Sequence, residues 1–207
     1  MNATMLGVPQ CGDDNVQWTM TASRENAYIV YTDGTLYAVD LTTLACILTP
    51  FQPNQLGIQP DFGIAVAGSG AGESFYVYGE GSDGNPILAV SDLSSFVLTK
   101  VGDVLPVPPT SSFPVNLTAD SMGHLYAFSP DGLLQEIDAA TGTVLQAAQT
   151  DIITMSTWAS LTGGSEVVLF VDSRVASYDL ASGAQTAEAD SGVSPVGAGT
   201  VLSCPGQ

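Results

Sequence analysis

The sequence predicts an all-β fold: a small propeller of four blades, each of four antiparallel strands, closed by a terminal strand. A short pattern ending on an aspartate recurs four times, at Asp40, Asp92, Asp138 and Asp179. The separations are 52, 46 and 41 residues, about 46 on average, which is the length of a propeller blade. Ahead of each aspartate lies a run apolar at consecutive positions, so both of its faces must be covered, as in a sheet wedged between two others. The ends supply the third observation. The 39 residues before Asp40 and the 28 after Asp179 hold one further repeat plus a surplus of about half a blade, enough for one closing strand.

Within each unit the strands read in order. The first is rich in small residues, as a crowded axis requires: Val16–Thr21, Gly63–Ala67, Pro114–Thr118 and Ser156–Ser160. The second is the apolar run: Ala27–Thr32, Ser74–Tyr78, His124–Phe128 and Glu166–Val171, β-branched and aromatic throughout. Asp33-Gly34, Asp83-Gly84 and Asp131-Gly132 then supply positive φ for a tight hairpin, and Asp172-Ser173 replaces the pair in the fourth unit. The third strand carries the anchor aspartate. The fourth is the most polar, at Cys46–Thr49, Val97–Thr99, Val144–Ala147 and Ala184–Ala187. The units span roughly 16–49, 63–99, 114–147 and 156–187, with a closing strand at 194–203 and tails at 1–15 and 204–207. An incomplete fifth blade, or an open array completed by dimerisation, would satisfy the same arithmetic.

Charge sets the functional bounds. With 21 Asp and Glu against 3 Lys and Arg, the formal net charge is -18, and 45% hydrophobic content still fills a core. Arg24, Lys100 and Arg174 cannot track a phosphate backbone or an anionic bilayer, so nucleic acid is excluded as a partner. No stretch approaches the 18 apolar residues of a membrane span. The opening MNATMLGVPQ lacks the basic and apolar regions of a secretory signal, so any such signal has been removed. Few lysines, much Ser, Thr and Gly, and an acidic surface fit a protein of the cell surface, periplasm or extracellular space.

The second half of the chain, through Asp131-Gly132, Ile137-Asp138-Ala-Ala-Thr-Gly142 and Tyr178-Asp179-Leu-Ala-Ser-Gly183, resembles the repeats of quinoprotein-like and YVTN-type β-propellers. Asp120–Phe128 and Val196-Gly-Ala-Gly199 near Cys204 are similar to exported propeller-like proteins of myxobacteria, a resemblance that implies no activity. Where quinoprotein repeats carry a Trp after the Thr-Gly turn, this chain has Leu145 and Gln185, so no quinone-binding residues carry over.

The candidate chemistry is sparse. Each anchor aspartate precedes Thr, Ser or Gly by two or three residues, the spacing at which a carboxylate caps the N–H groups of its own turn. Spacing alone singles out no carboxylate pair of glycosidase type. His124 is the only histidine and reads as a turn residue, without a G-x-S-x-G partner. One His and three Cys are too few for a protein-built transition-metal site. No cofactor is expected; the oxygen-rich loops at Asp13-Asp14-Asn15 and Asp83-Gly84-Asn85 admit calcium, although no EF-hand pattern occurs. Cys11, Cys46 and Cys204 allow three disulfide pairings, one of which would join the chain ends. Trp18 and Trp158, in first strands, and Phe51 and Phe113, in proline-rich loops, form the candidate partner surface. The expectation is an exported binding or assembly module with no catalysis, its partner a protein or glycan, with homo-oligomerisation open. A structural subunit of an extracellular assembly, or a polysaccharide-acting hydrolase or lyase, is the alternative.

Overall fold

The computed structural model describes residues 7–9, 11, 16–68, 72–105, 115–120, 123–152, 158–163, 166–171 and 173–190, with backbone alone at 158–163. It is a four-bladed β-propeller, each blade a four-stranded antiparallel sheet whose strands follow chain order. Blade 1 comprises β1 (Gln17–Ala22), β2 (Asn26–Tyr31), β3 (Leu36–Asp40) and β4 (Cys46–Leu48); blade 2 comprises β5 (Gly63–Ala67), β6 (Ser74–Glu80), β7 (Pro86–Asp92) and β8 (Thr99–Asp103). Blade 3 is β9 (Asn116–Ala119), β10 (Leu125–Phe128), β11 (Leu133–Ile137) and β12 (Val144–Gln149); blade 4 is β13 (Trp158–Gly163), β14 (Glu166–Val171), β15 (Arg174–Asp179) and β16 (Gln185–Asp190). The expected closing strand at 194–203 lies outside the described residues.

Successive side chains on a strand point to opposite faces, and here each face meets a different neighbour. Tyr28 and Val30 of β2 join Phe75 and Val77 of β6 between blades 1 and 2. Tyr78 of β6 meets Leu125 and Ala127 of β10 between blades 2 and 3. Tyr126 and Phe128 meet Val167 and Leu169 of β14 between blades 3 and 4. Ala27, Ile29 and Tyr31 cover the remaining face of blade 1 together with Cys11. In β6 and β10 the consecutive apolar residues are thus two alternating sets, each with its own partner sheet, whereas β14 buries Val167, Leu169 and Val171 and leaves the alternate positions half-buried.

The innermost strands β1, β5, β9 and β13 lie side by side in that order. Their closeness explains the small residues. A Cβ on Gly63 would sit 2.3 Å from the Val115 carbonyl oxygen and 2.9 Å from the Leu117 nitrogen, so β5 and β9 can approach only because glycine stands there. Across blades, Thr19 donates its hydroxyl to Asn116 Oδ1 at 3.4 Å, and Thr21 Oγ1 accepts the Val66 N–H at 3.0 Å. Asn116, part of an Asn-Leu-Thr triplet, is buried in this contact.

The Asp-Gly turns differ in type from a two-residue hairpin. Gly34, Gly84 and Gly132 have φ of 81°, 79° and 85°, while the preceding aspartates keep negative φ. Gly34 donates its N–H to the Tyr31 carbonyl at 2.8 Å and Tyr31 donates to Thr35 at 2.9 Å, the hydrogen bonding of a turn that ends in a glycine bulge. In blade 4, Val171 pairs directly with Arg174, leaving a two-residue connection.

Two expectations need correction. The outer strand of blade 2 begins at Thr99, not Val97, because Phe96 turns the chain at φ 52° and Leu98 returns to the core. Phe51 is not a surface residue; it is 5% exposed, its ring 5.8 Å from Phe62 and 6.2 Å from Phe75. Proline and phenylalanine in that linker close the gap between blades 1 and 2.

Phe75 is fully buried and touches the rings of Tyr28, Phe51 and Phe96. Phe75→Ala is expected to cost about 3–5 kcal/mol in urea unfolding. Ile47→Ala, at a position 67% exposed on the outer strand, should stay within about 0.5 kcal/mol. Equal effects at the two positions would contradict the sandwiched arrangement.

Candidate functional site

Antiparallel order sends alternate connections to opposite ends of the propeller. One end carries the Asp-Gly turns and the inter-blade linkers. The other carries the turns between first and second strands and the four anchor turns, and a cleft of about 490 Å³ opens there. Ser23, Arg24, Glu25, Asn26 and Tyr28 of blade 1 and Glu73 and Leu93 of blade 2 line it.

The blade 1 side is a rigid turn built by Ser23. Its hydroxyl oxygen accepts the Asn26 N–H at 3.1 Å and the Glu25 N–H at 3.4 Å, and Ser23 donates its own N–H to the Asn26 carbonyl at 2.8 Å. The Glu25 carbonyl accepts the Leu41 N–H at 2.9 Å, tying this turn to the anchor turn beside it. Across the cleft, Glu73 Oε1 accepts the Arg24 N–H at 3.3 Å. Tyr28 forms the floor, its ring packed 5.8 Å from Phe96 and its hydroxyl toward Ser23 and Asn26. Burial pushes the Tyr28 phenol above its ordinary range, against those two hydrogen bonds, so it stays a neutral donor and acceptor.

The anchor aspartates turn their carboxylates onto their own turns. Asp40 Oδ1 accepts the N–H groups of Thr42 and Thr43 at 2.9 and 2.6 Å. Asp92 does the same for Ser94 and Ser95 at 2.9 and 2.7 Å and also accepts both hydroxyls. Asp138 takes the Ala140 N–H at 2.7 Å, and Asp179 the Ser182 N–H at 2.9 Å. Each turn then closes through a residue at positive φ. Blades 3 and 4 use Gly142 and Gly183, whereas blades 1 and 2 place Leu44 and Phe96 there, at 60° and 52°. Phe96 is held by its burial among Tyr28 and Phe75.

His124 stands at the same end on blade 3. Its Nδ1 lies 3.1 Å from Asp120 Oδ2 and 3.6 Å from Glu136 Oε1, and its N–H donates to Asp120 Oδ1 at 2.9 Å. Tyr126 donates its hydroxyl to Asp120 Oδ2, the oxygen that faces His124 Nδ1, at 3.0 Å. Burial first, then the Asp120 charge, raises the Tyr126 phenol above its ordinary value. These contacts fasten His124 and Tyr126 to Asp120. Among the described residues, no group of three or more His, Cys, Asp or Glu side chains is arranged to hold a metal.

Of the residues expected to face a partner, Trp18 is half-buried in β1 at a β-bulge, the extra residue between the Gln17 and Thr19 pairings. The side chain of Trp158, and Phe113 and Cys204 altogether, lie outside the described residues. Cys11 and Cys46 form a disulfide with Cα atoms 5.3 Å apart, resolving the open pairing and tying the N-terminal segment to β4. Sequence reasoning missed the cleft residues. The Ser-x-x-Asn turn at Ser23–Asn26, containing one of only three Lys and Arg residues, was the available clue.

The chain matches no family model and no curated protein. Its fold is similar to that of Myxococcus xanthus glutaminyl cyclase, with a TM-score of 0.53 and 14% identity over 86% of this chain and 72% of that one. That likeness shows the fold alone. A computationally designed protein, Ika8, is similar at a TM-score of 0.49 and 15% identity over 88% of this chain. The chain spans 64% of the designed protein's length.

The capped carboxylates set an acid limit. Hydrogen bonds from Thr43 lower the Asp40 pKa, those from Ser94 and Ser95 lower Asp92 most strongly, and those from Ser182 lower Asp179, all from an ordinary 3.8. A depressed folded pKa gives stability that is present above the unfolded value and lost as pH falls through the folded one. Relief of carboxylate repulsion is expected to stabilise the fold from neutrality toward the pI near 4.1; below it, stability is expected to fall. Asp92→Ala should lower stability at pH 7 and flatten the decline between about pH 4 and pH 2, followed by thermal melts. An unchanged acid limb would show that the cap contributes nothing.

Proposed function

We propose that this propeller is an exported binding module that engages its partner at the end carrying the first-to-second strand turns. The observation that carries the reading is the cleft between blades 1 and 2. Its volume of about 490 Å³ falls within the range of small-ligand and side-chain pockets, and its lining mixes charge, amide, hydroxyl and one apolar lip at Leu93. The turn that forms one wall is held by its own hydrogen bonds, so binding there orders little new structure. Binding is favoured over catalysis because the anchor carboxylates at this end are committed to turn N–H groups.

The Cys11–Cys46 disulfide supports an oxidising compartment outside the cytosol. In the chain-entropy view, a bridge over 35 residues stabilises by about 3–4 kcal/mol. The likeness of the Asp138–Gly142 and Asp179–Gly183 turns to quinoprotein-like and YVTN-type repeats belongs to this reading as a statement of repeat ancestry, without the cofactor.

Leu93→Trp fills the cleft from its lip, while Leu145→Trp adds the same bulk to an exposed position on the outer strand of blade 3. With both variants folded by thermal melt, the first is expected to lose partners captured by the wild-type protein from the secretome, and the second to retain them. Identical capture by both would remove the cleft from the function.

A further inference from the structure

We infer that the cleft receives a cationic group, the lysine or arginine side chain of a basic peptide segment on a protein partner; this rests on the binding reading above. The cleft holds two carboxylates, Glu25 and Glu73, and one guanidinium, Arg24, so its lining is net negative by one. Around it stands a chain of net charge -18, whose field attracts cations and repels nucleotides, acidic glycans and acidic peptides. The Asp92 carboxylate beside Leu93 is engaged by Ser94 and Ser95, whereas Glu73 accepts a long 3.3 Å bond from the Arg24 backbone.

The geometry favours an elongated cationic side chain over a bare ion. The ring of Tyr28 is sealed into the core against Phe75 and Phe96, leaving its hydroxyl at the floor. Leu93 at the lip packs on the same apolar cluster, giving a methylene stem a surface to lie against. A lysine or arginine entering past Leu93 carries its charged head to Glu73 and Glu25 and its donors to the Tyr28 hydroxyl and Asn26. Such an ion pair in a half-open cleft is worth little alone, so affinity comes from several basic residues on one segment.

The test is fluorescence anisotropy of labelled tetralysine, tetraglutamate and a neutral oligosaccharide. Tetralysine is expected to bind, more weakly at high salt. Glu73→Gln and Glu25→Gln should each weaken it by about two- to five-fold. Glu188→Gln, removing a carboxylate paired with Arg174 on the outer strand of blade 4, should leave it unchanged. Equal loss in all three variants would reveal diffuse attraction to an acidic surface and overturn the inference. Binding of the neutral oligosaccharide alone, abolished by Leu93→Trp, would overturn the cationic ligand but keep the cleft. No binding of any probe, with partner capture unaffected by Leu93→Trp, would bring down both.

Discussion

Everything in this molecule depends on burying both faces of the second strand of a blade. A lone four-stranded sheet leaves both faces open to water; β6 and β10 offer two apolar faces and meet a neighbouring blade on each, while β2 buries one face against blade 2 and the other together with Cys11. The aromatic set of Tyr28, Phe51, Phe75 and Phe96 shows how much area one such interface takes out of water. Sheets wedged in this way converge on an axis, and convergence forbids bulk there. Gly63 against β9 and the Thr19–Asn116 contact are consequences of that geometry.

The turns at the two ends are solved differently, and the difference decides where chemistry is available. At one end a glycine at positive φ closes each Asp-Gly turn in blades 1 to 3. At the other the aspartate caps its turn, and the closing position tolerates leucine or phenylalanine when packing repays the backbone cost. Carboxylates are therefore numerous at this second end, yet most are occupied by hydrogen bonds. Glu25 and Glu73 differ in lining an open space.

The architecture was readable in the residues because its determinants are periodic: four aspartates at near-blade spacing, two-faced apolar runs and small inner strands. What escaped was set by single packing events. Phe51 sits in a proline-rich linker and reads as a surface aromatic, but the linker crosses the mouth of the blade 1–2 interface and the ring drops into it. The start of β8 moved because Leu98 is needed in the core, with its N–H donated to Gln55 Oε1 at 2.9 Å. The choice of Cys46 as the partner of Cys11 follows from the N-terminal segment lying against blade 1, which no spacing encodes. The cleft was illegible for a similar reason: Ser23–Asn26 and Glu73 are about fifty residues apart, and only the juxtaposition of neighbouring blades makes them one site.

The arrangement of sheets about a shared axis is tested most directly at Gly63. Nuclear Overhauser contacts between its α protons and the Leu117 amide are expected to be strong, because these residues from different blades come too close to admit a methyl group. If Gly63 shows contacts only to its own sheet partner Tyr78 and its chain neighbours, the sheets do not converge as described.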